Sequence, residues 1–337
     1  MRKILVALLL LSLFVMVLPP IANSEAPVTR LAFDVTPFKG EFAELANIEE
    51  TQAALPDPTP FWVDIVDAEL YENGGDGIYI AVLDTGLLSN WQFFFSQAKI
   101  KWEWGKGFTH DIWWNPAIND FEIGPLRDDR GFITKDFEGS GHGTHVTSTI
   151  VGYRFRTATA DFWVRGVAPK ATIIPVLVLD AWEVPYPSGV ARFTGGTYEM
   201  VTAGIYYVAW LAETYGVKII INMSLGGSAP SPMEEEAINY AISKGVIVVA
   251  SAGNNGEAGM GWPGAFPQVI SAAAGGWTEG WITKPPQTRW WLNDVTEKLN
   301  TKDYWGNNWQ MFLEDFSSRA NPELGQSWKE LDVCAPG

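Results

Sequence analysis

Four short apolar runs that do not alternate limit the folding options of this chain more than any other feature. They are Ile78–Leu83, Ile173–Leu179, Ile219–Ile221 and Val246–Val249. Successive side chains of a strand point to opposite faces, so a run that is apolar throughout must be covered on both. That is the setting of an inner parallel strand roofed by helices on each side. Helical patterns fall between the runs. From Thr197 to Tyr215, one stripe collects Val201, Ile205, Val208 and Leu211 or Ala212. From Ser231 to Lys244 the signals are fuller: Ser231 can cap, Pro232 suits the first helical position, Glu234 to Glu236 favour the positive end, and Gly245 can terminate. This order predicts an α/β fold, a mostly parallel sheet with helices on both faces in three layers. Sites in such sheets form at the carboxyl ends of the strands.

With 337 residues, 47% of them hydrophobic, the chain has ample material for a large core. Residues 1–26 read as an export signal. Arg2 and Lys3 precede an apolar run from Ile4 to Leu18, and small residues around Ser24 and Ala26 offer a cleavage site. The competing reading is an uncleaved membrane anchor, against which the run falls short of the roughly 20 residues a span needs. A secreted or cell-surface location follows, with no membrane association after cleavage. Residues 27–60 hold Pro27, Pro37, Pro56, Pro58 and Pro60 beside Glu41, Glu44, Glu49 and Glu50, and read as a linker or short pro-segment. Regular patterning begins at Phe61. A formal net charge of −16 argues against nucleic acid as a partner. One cysteine, Cys334, excludes an internal disulfide.

Two segments fit the strand–helix scheme poorly. Residues 91–114 carry Trp91, Phe93, Phe94, Phe95, Trp102, Trp104, Phe108, Trp113 and Trp114, and residues 277–312 carry Trp277, Trp281, Trp290, Trp291, Trp305, Trp309 and Phe312. Both look like long insertions packed by their own aromatics. The first lies between two candidate site motifs, so we expect the two segments on the substrate side of a cleft and outside the core, with a self-packed surface loop as the equal alternative.

Four motifs carry chemistry. Asp84-Thr85-Gly86 follows the first strand, where a rigid, desolvated carboxylate can orient another group. Gly141-His142-Gly143-Thr144-His145 opens a helical pattern, presenting His142 at a helix start. The two histidines could equally share a metal, which would need a further ligand, and only His110 remains. Asn222-Met223-Ser224-Leu225-Gly226-Gly227 leaves an inner strand with paired glycines, suited to pairing with an extended peptide. Ser251-Ala252-Gly253-Asn254 ends another strand in small residues and an amide able to donate to an oxyanion. Each alone has a bland structural reading as a turn or a packing residue.

In this order the four motifs resemble the subtilase family of serine proteases, whose triad runs Asp, His, Ser along the chain. The resemblance covers about Phe61 to Gly337 and extends to the closing Asp332-Val333-Cys334-Ala335-Pro336-Gly337, similar to the family's strand and loop upstream of the nucleophile. It implies a serine-type endopeptidase acting on protein or peptide substrates. By resemblance, Asp84 orients the histidine, His142 is general base and acid, and His145 is structural. Asn254 then donates in the oxyanion hole. Ser224, Leu225, Gly226 and Gly227 form the peptide-pairing wall, and Ser251, Ala252 and Gly253 the facing one. The chemistry needs no cofactor and no catalytic metal. Family members often bind structural calcium, for which no ligand set is identified.

The family's nucleophile stands in a Gly-Thr-Ser context downstream of Ala-Pro-Gly, and no serine here has that context. Three explanations stay open: a fragment of a longer product, a split reading frame, or a fold that binds peptides without cleaving them. Many secreted members also carry a folded inhibitory pro-segment, for which residues 27–60 are short and proline-broken.

Overall fold

The structure is a computed structural model and describes residues 33–34, 59–135, 139–277, 298–302 and 308–337. Most of the predicted signal and linker, residues 1–60, therefore lies outside the described residues. So does most of the second aromatic segment.

Fifteen strands and three longer helices are named here in chain order. They run β1 (Phe33–Asp34), β2 (Tyr79–Asp84), β3 (Lys106–Asn115), β4 (Asp120–Arg130), α1 (His142–Val151), β5 (Tyr153–Arg156) and β6 (Asp161–Val164). Then come β7 (Thr172–Leu177), β8 (Asp180–Tyr186), β9 (Gly189–Gly196), α2 (Tyr198–Tyr215), β10 (Ile219–Met223), α3 (Pro232–Ser243) and β11 (Ile247–Ser251). The chain finishes with β12 (Ile270–Trp277), β13 (Lys298–Lys302), β14 (Asn308–Leu313) and β15 (Val333–Pro336). The four apolar runs are β2, β7, β10 and β11, and they lie side by side as β7-β2-β10-β11 in parallel pairing. β12 joins β11 in parallel, and β15 joins β12 in parallel. Antiparallel hairpins extend both edges, β3–β4 beyond β7 and β13–β14 beyond β12.

Helices cover both faces, as the non-alternating strands require. On one side α2 and α3 bury Val201, Ile205, Val208, Ala237 and Ile238 against Ala81, Leu83, Ile221 and Val248. On the other, α1 buries Val146, Ile150 and Val151 against Ile80, Val82, Ile173 and Val249. The alternate residues of one strand thus feed two cores. The helix ends follow their sequence signals. Thr197 caps α2 by accepting from the Met200 amide, and Ser231 caps α3 ahead of Pro232. Gly245 takes φ 82°, which a residue with a side chain rarely adopts.

The first aromatic segment departs from expectation. Trp91 and Phe95 are buried in the core beneath α1, and Phe108 in the core beneath α2. Its second half is strand β3, not loop. Trp104 stacks on Tyr215 at 4.5 Å and lies 5.1 Å from Tyr79, ring centre to ring centre. Tyr79 opens β2 whereas Asp84 closes it, about 17 Å further along the strand, so Trp104 packs at the amino end of β2. Trp114 packs on Phe121 at 5.2 Å and Tyr186 at 5.9 Å, and Phe121 packs against the core beneath α2. Trp104 therefore sits at the opposite end of β2 from Asp84, and the substrate-side expectation fails for it, whereas β3 runs parallel to β7 and carries Trp114 past the carboxyl end of that strand. These rings extend the sheet and cover its edge, work that a view of the segment as a loop cannot assign.

Candidate active site

Asp84 is the last residue of β2 and is fully buried. The Thr85 amide donates to its Oδ1 at 2.6 Å. Thr85 also ties the strand end to the start of α1. Its hydroxyl donates to the Ser140 carbonyl at 2.7 Å and accepts from the Gly143 amide at 2.9 Å. Thr144 adds a third tie, accepting from the Leu88 amide at 2.9 Å. Gly143 allows this approach, since a Cβ there would lie 2.4 Å from the Gly86 carbonyl oxygen. Thr85 and Thr144 stood inside the motifs, but only the fold reveals that they lock one to the other.

The lock places His142, the first residue of α1, directly over the carboxylate. Its Nδ1 lies 2.8 Å from Asp84 Oδ1 and 2.9 Å from Oδ2. Nδ1 therefore carries the proton and donates, and Nε2 is left as the basic nitrogen. Burial opposes the charged ring and is the largest single influence on it. The Asp84 charge and hydrogen bond together outweigh burial and raise the His142 pKa above its ordinary 6.5. No hydroxyl among the described residues bonds Nε2. Ser317 and Ser318 are both fully buried, and Ser317 Oγ accepts from the Ala274 amide at 2.9 Å.

The metal alternative for the histidines finds little support in these contacts. His110 is committed elsewhere, its Nδ1 donating to the Gly124 carbonyl at 2.8 Å and its Nε2 paired with Thr197 Oγ1 at 2.9 Å. Among the described residues no three His, Cys, Asp or Glu side chains converge to hold a metal ion.

The two wall segments leave β10 and β11 side by side, with Met223 opposite Ala250. Ser251 Oγ donates to the Leu225 carbonyl at 3.2 Å, joining them directly. Ser224 and Leu225 are buried, and Gly226 is exposed. Gly227 exchanges both backbone hydrogen bonds with Trp262, at 2.7 and 3.0 Å, and Gly261 donates to the Ala252 carbonyl at 2.8 Å. Gly227 thus spends its own backbone groups on support behind the wall.

Asn254 is half-buried and follows β11, at the same carboxyl edge as Asp84 with β10 between them. Ser318 brackets it. The Ser318 amide donates to the Gly253 carbonyl at 2.9 Å, and its Oγ accepts from the Asn255 amide at 2.9 Å. Gly253 takes φ 101°, and a Cβ there would come 3.0 Å from Ser318 Oγ. Nothing in the sequence signals Ser318, which lies more than sixty residues downstream.

Residues 75–337 match the family model of Peptidase_S8, the subtilase family. The chain belongs to that family. It is similar to the curated "Subtilisin" of Bacillus sp. (strain TA39), 30% identical over 204 residues, 60% of this chain and 40% of that one. It is 30% identical over 222 residues to "Intracellular serine protease" of Paenibacillus polymyxa, covering 64% of this chain and 55% of that one. "Thermitase" of Thermoactinomyces vulgaris is 30% identical over 203 residues, 59% of this chain and 56% of that one. This subtilase chain thus spans about half the length of these relatives. Among solved structures it is similar to "S41 Psychrophilic Protease", with 26% identity and a TM-score of 0.51, covering 85% of this chain and 74% of that one. The mostly parallel, helix-covered sheet is the subtilisin-like fold expected from the sequence.

Proposed function

We propose that this protein is an exported serine endopeptidase of the subtilisin type, acting on proteins or peptides. The observation that carries the reading is the buried Asp84–His142 pair in a chain of the subtilase family. With Nδ1–H held by the carboxylate, Nε2 faces away as a base. A serine hydroxyl beside Nε2 would pass its proton to the ring as its oxygen attacks the peptide carbonyl carbon. Asp84 stabilises the imidazolium so formed. The same proton then goes to the leaving amine as the C–N bond breaks, leaving an acyl-serine that water hydrolyses by the reverse sequence. The Asn254 amide is assigned to the oxyanion, and the segments Ser224–Gly226 and Ser251–Gly253 to an extended peptide. No cofactor enters these steps. The basic and apolar start of the chain supports export, followed by release from the membrane.

One observation favours a second reading, a subtilase fold that binds peptides without cleaving them: no described hydroxyl bonds His142 Nε2. A serine-directed fluorophosphonate separates the two. Labelling of the protein expressed from its native gene, at a Gly-Thr-Ser serine, supports the peptidase, and the 337-residue chain is tested beside it. Labelling of a serine within the 337 residues shows that the nucleophile has been misplaced. Labelling of neither protein supports the binding module.

A further inference from the structure

Glu234 takes no part in this chemistry, and its surroundings do not account for it. It is fully buried in the first turn of α3, and neither carboxyl oxygen has a hydrogen-bond partner among the described residues. The sequence marks it only as an acid that favours the positive end of a helix, whereas the fold turns it inward. Burial alone pushes its pKa up to about 8. From α2, the titratable group that feels Glu234 is Tyr198, whose phenol is raised by burial and then, against a hydrogen bond to Ala229, by the Glu234 charge. On its own helix Glu235 accepts from Gln268 at 3.4 Å, and Glu236 bears on Tyr206. No cation registers on Glu234 from any of these elements.

Its position connects it to the peptide wall. Four residues, Ser228–Ser231, join Gly227 to α3. Within that link the Ala229 carbonyl accepts from the Tyr198 hydroxyl at 2.6 Å, which clamps the link to α2. The cap that starts the helix is long, with the Glu234 amide 3.5 Å from Ser231 Oγ. A charge created at Glu234 has no local partner, and its relief is to turn the first turn of α3 toward water.

We infer that Glu234 is a positioning residue for the peptide wall: as a neutral acid it keeps α3 docked and Ser224–Gly227 in place, and its ionisation loosens both. The inference rests on the reading of Ser224–Gly226 as a wall for peptide, with Gly227 as its support. Its pH window follows from linkage. The docked form holds the proton up to about 8, whereas an opened form releases it near the ordinary 4.5. Opening therefore becomes easier as pH rises between these values, by at most about tenfold per pH unit, and levels off above them.

Hydrogen exchange on the full chain tests this without requiring proteolysis. Protection of residues 224–236, corrected for the intrinsic pH dependence of exchange, is compared at pH 5.5 and pH 8 in the wild type and in Glu234→Gln. The wild type should lose protection on the order of a hundredfold, and the isosteric uncharged variant should keep it. Glu234→Leu carries the same expectation if the glutamine variant does not fold. An equal fall in wild type and variant, or no fall in the wild type, overturns the proposal. A fluorescent casein-derived peptide, followed by anisotropy, should bind more weakly at pH 8 than at pH 5.5 to the wild type only. A pH-independent affinity beside a pH-dependent exchange overturns the link to the wall. Fluorophosphonate labelling reports separately on whether the protein is a peptidase.

Discussion

Asp84 meets His142 Nδ1 with both carboxyl oxygens, at 2.8 and 2.9 Å, from a position with no exposure to solvent. A single buried acid thereby fixes both the tautomer and the orientation of the ring. Asp84→Asn keeps the shape but presents an amide that can hold the wrong tautomer. In the serine-bearing protein kcat should fall on the order of 10⁴. The ring titration, followed by NMR in the 337-residue chain, should move to lower pH in the variant.

The same pair makes stability depend on pH. The folded pKa of His142 lies above its ordinary 6.5. Its contribution is therefore fully present below 6.5 and is lost as pH rises through the folded value. Denaturant titrations of wild type and Asp84→Asn should differ most below pH 6.5, and a constant difference across pH would count against the pairing.

Thr85 is the joint between strand end and helix start. Thr85→Val removes the hydroxyl that bonds both the Ser140 carbonyl and the Gly143 amide, which should cost about 2–4 kcal/mol in urea unfolding. Thr85→Ser keeps the hydroxyl and should stay within about 1 kcal/mol of wild type. A loss in Thr85→Ser with Thr85→Val close to wild type would show that the methyl packing matters and the hydroxyl does not.

Asn254 and Ser318 should separate function from support. Asn254→Ala is expected to lower kcat by about 10²–10³ with KM little changed, as for loss of an oxyanion donor. Ser318→Ala removes the bond to the Asn255 amide without touching substrate, so kcat should fall less and stability by about 1 kcal/mol. A kcat loss in Ser318→Ala equal to that in Asn254→Ala would place Ser318 in the chemistry itself.

Much of this arrangement was legible because the sequence marks it locally. The inner strands announce themselves by lack of alternation, α3 by Ser231 and Pro232, and the Asp84–His142 contact by two glycine-rich motifs at strand and helix ends. What stayed hidden depends on partners distant in sequence. The Trp- and Phe-rich stretch after Asn90 read as an insertion because its strand, β3, pairs with β4 and shares only Lys106 and Gly107 with β7. Ser318 supports the Asn254 loop from a region with no motif. Glu234 followed the rule for acids at helix starts, and tertiary packing overrode it by burying the first turn.

Glu234→Leu should change stability in a direction set by pH. A carboxyl whose folded pKa is raised from 4.5 to about 8 costs the fold progressively more as pH climbs between those values. Wild-type stability should therefore decline over that window, by at most about 1.4 kcal/mol per pH unit from this group. The leucine variant should lack that component and exceed the wild type at pH 8. Parallel pH profiles of the two proteins would show that the Glu234 pKa is the same in the folded and unfolded chain.

The central claim, that Asp84 and His142 are the acid and base of a peptidase, is tested most directly by peptide hydrolysis. The measurement is kcat/KM on a fluorogenic peptide for the protein expressed from its native gene, in wild type and His142→Ala, with folding checked by circular dichroism. The account predicts fluorophosphonate-sensitive turnover in the wild type and a loss on the order of 10⁴ or more in the variant. Hydrolysis that survives in folded His142→Ala, or a folded wild type that holds the peptide and never cleaves it, would contradict it.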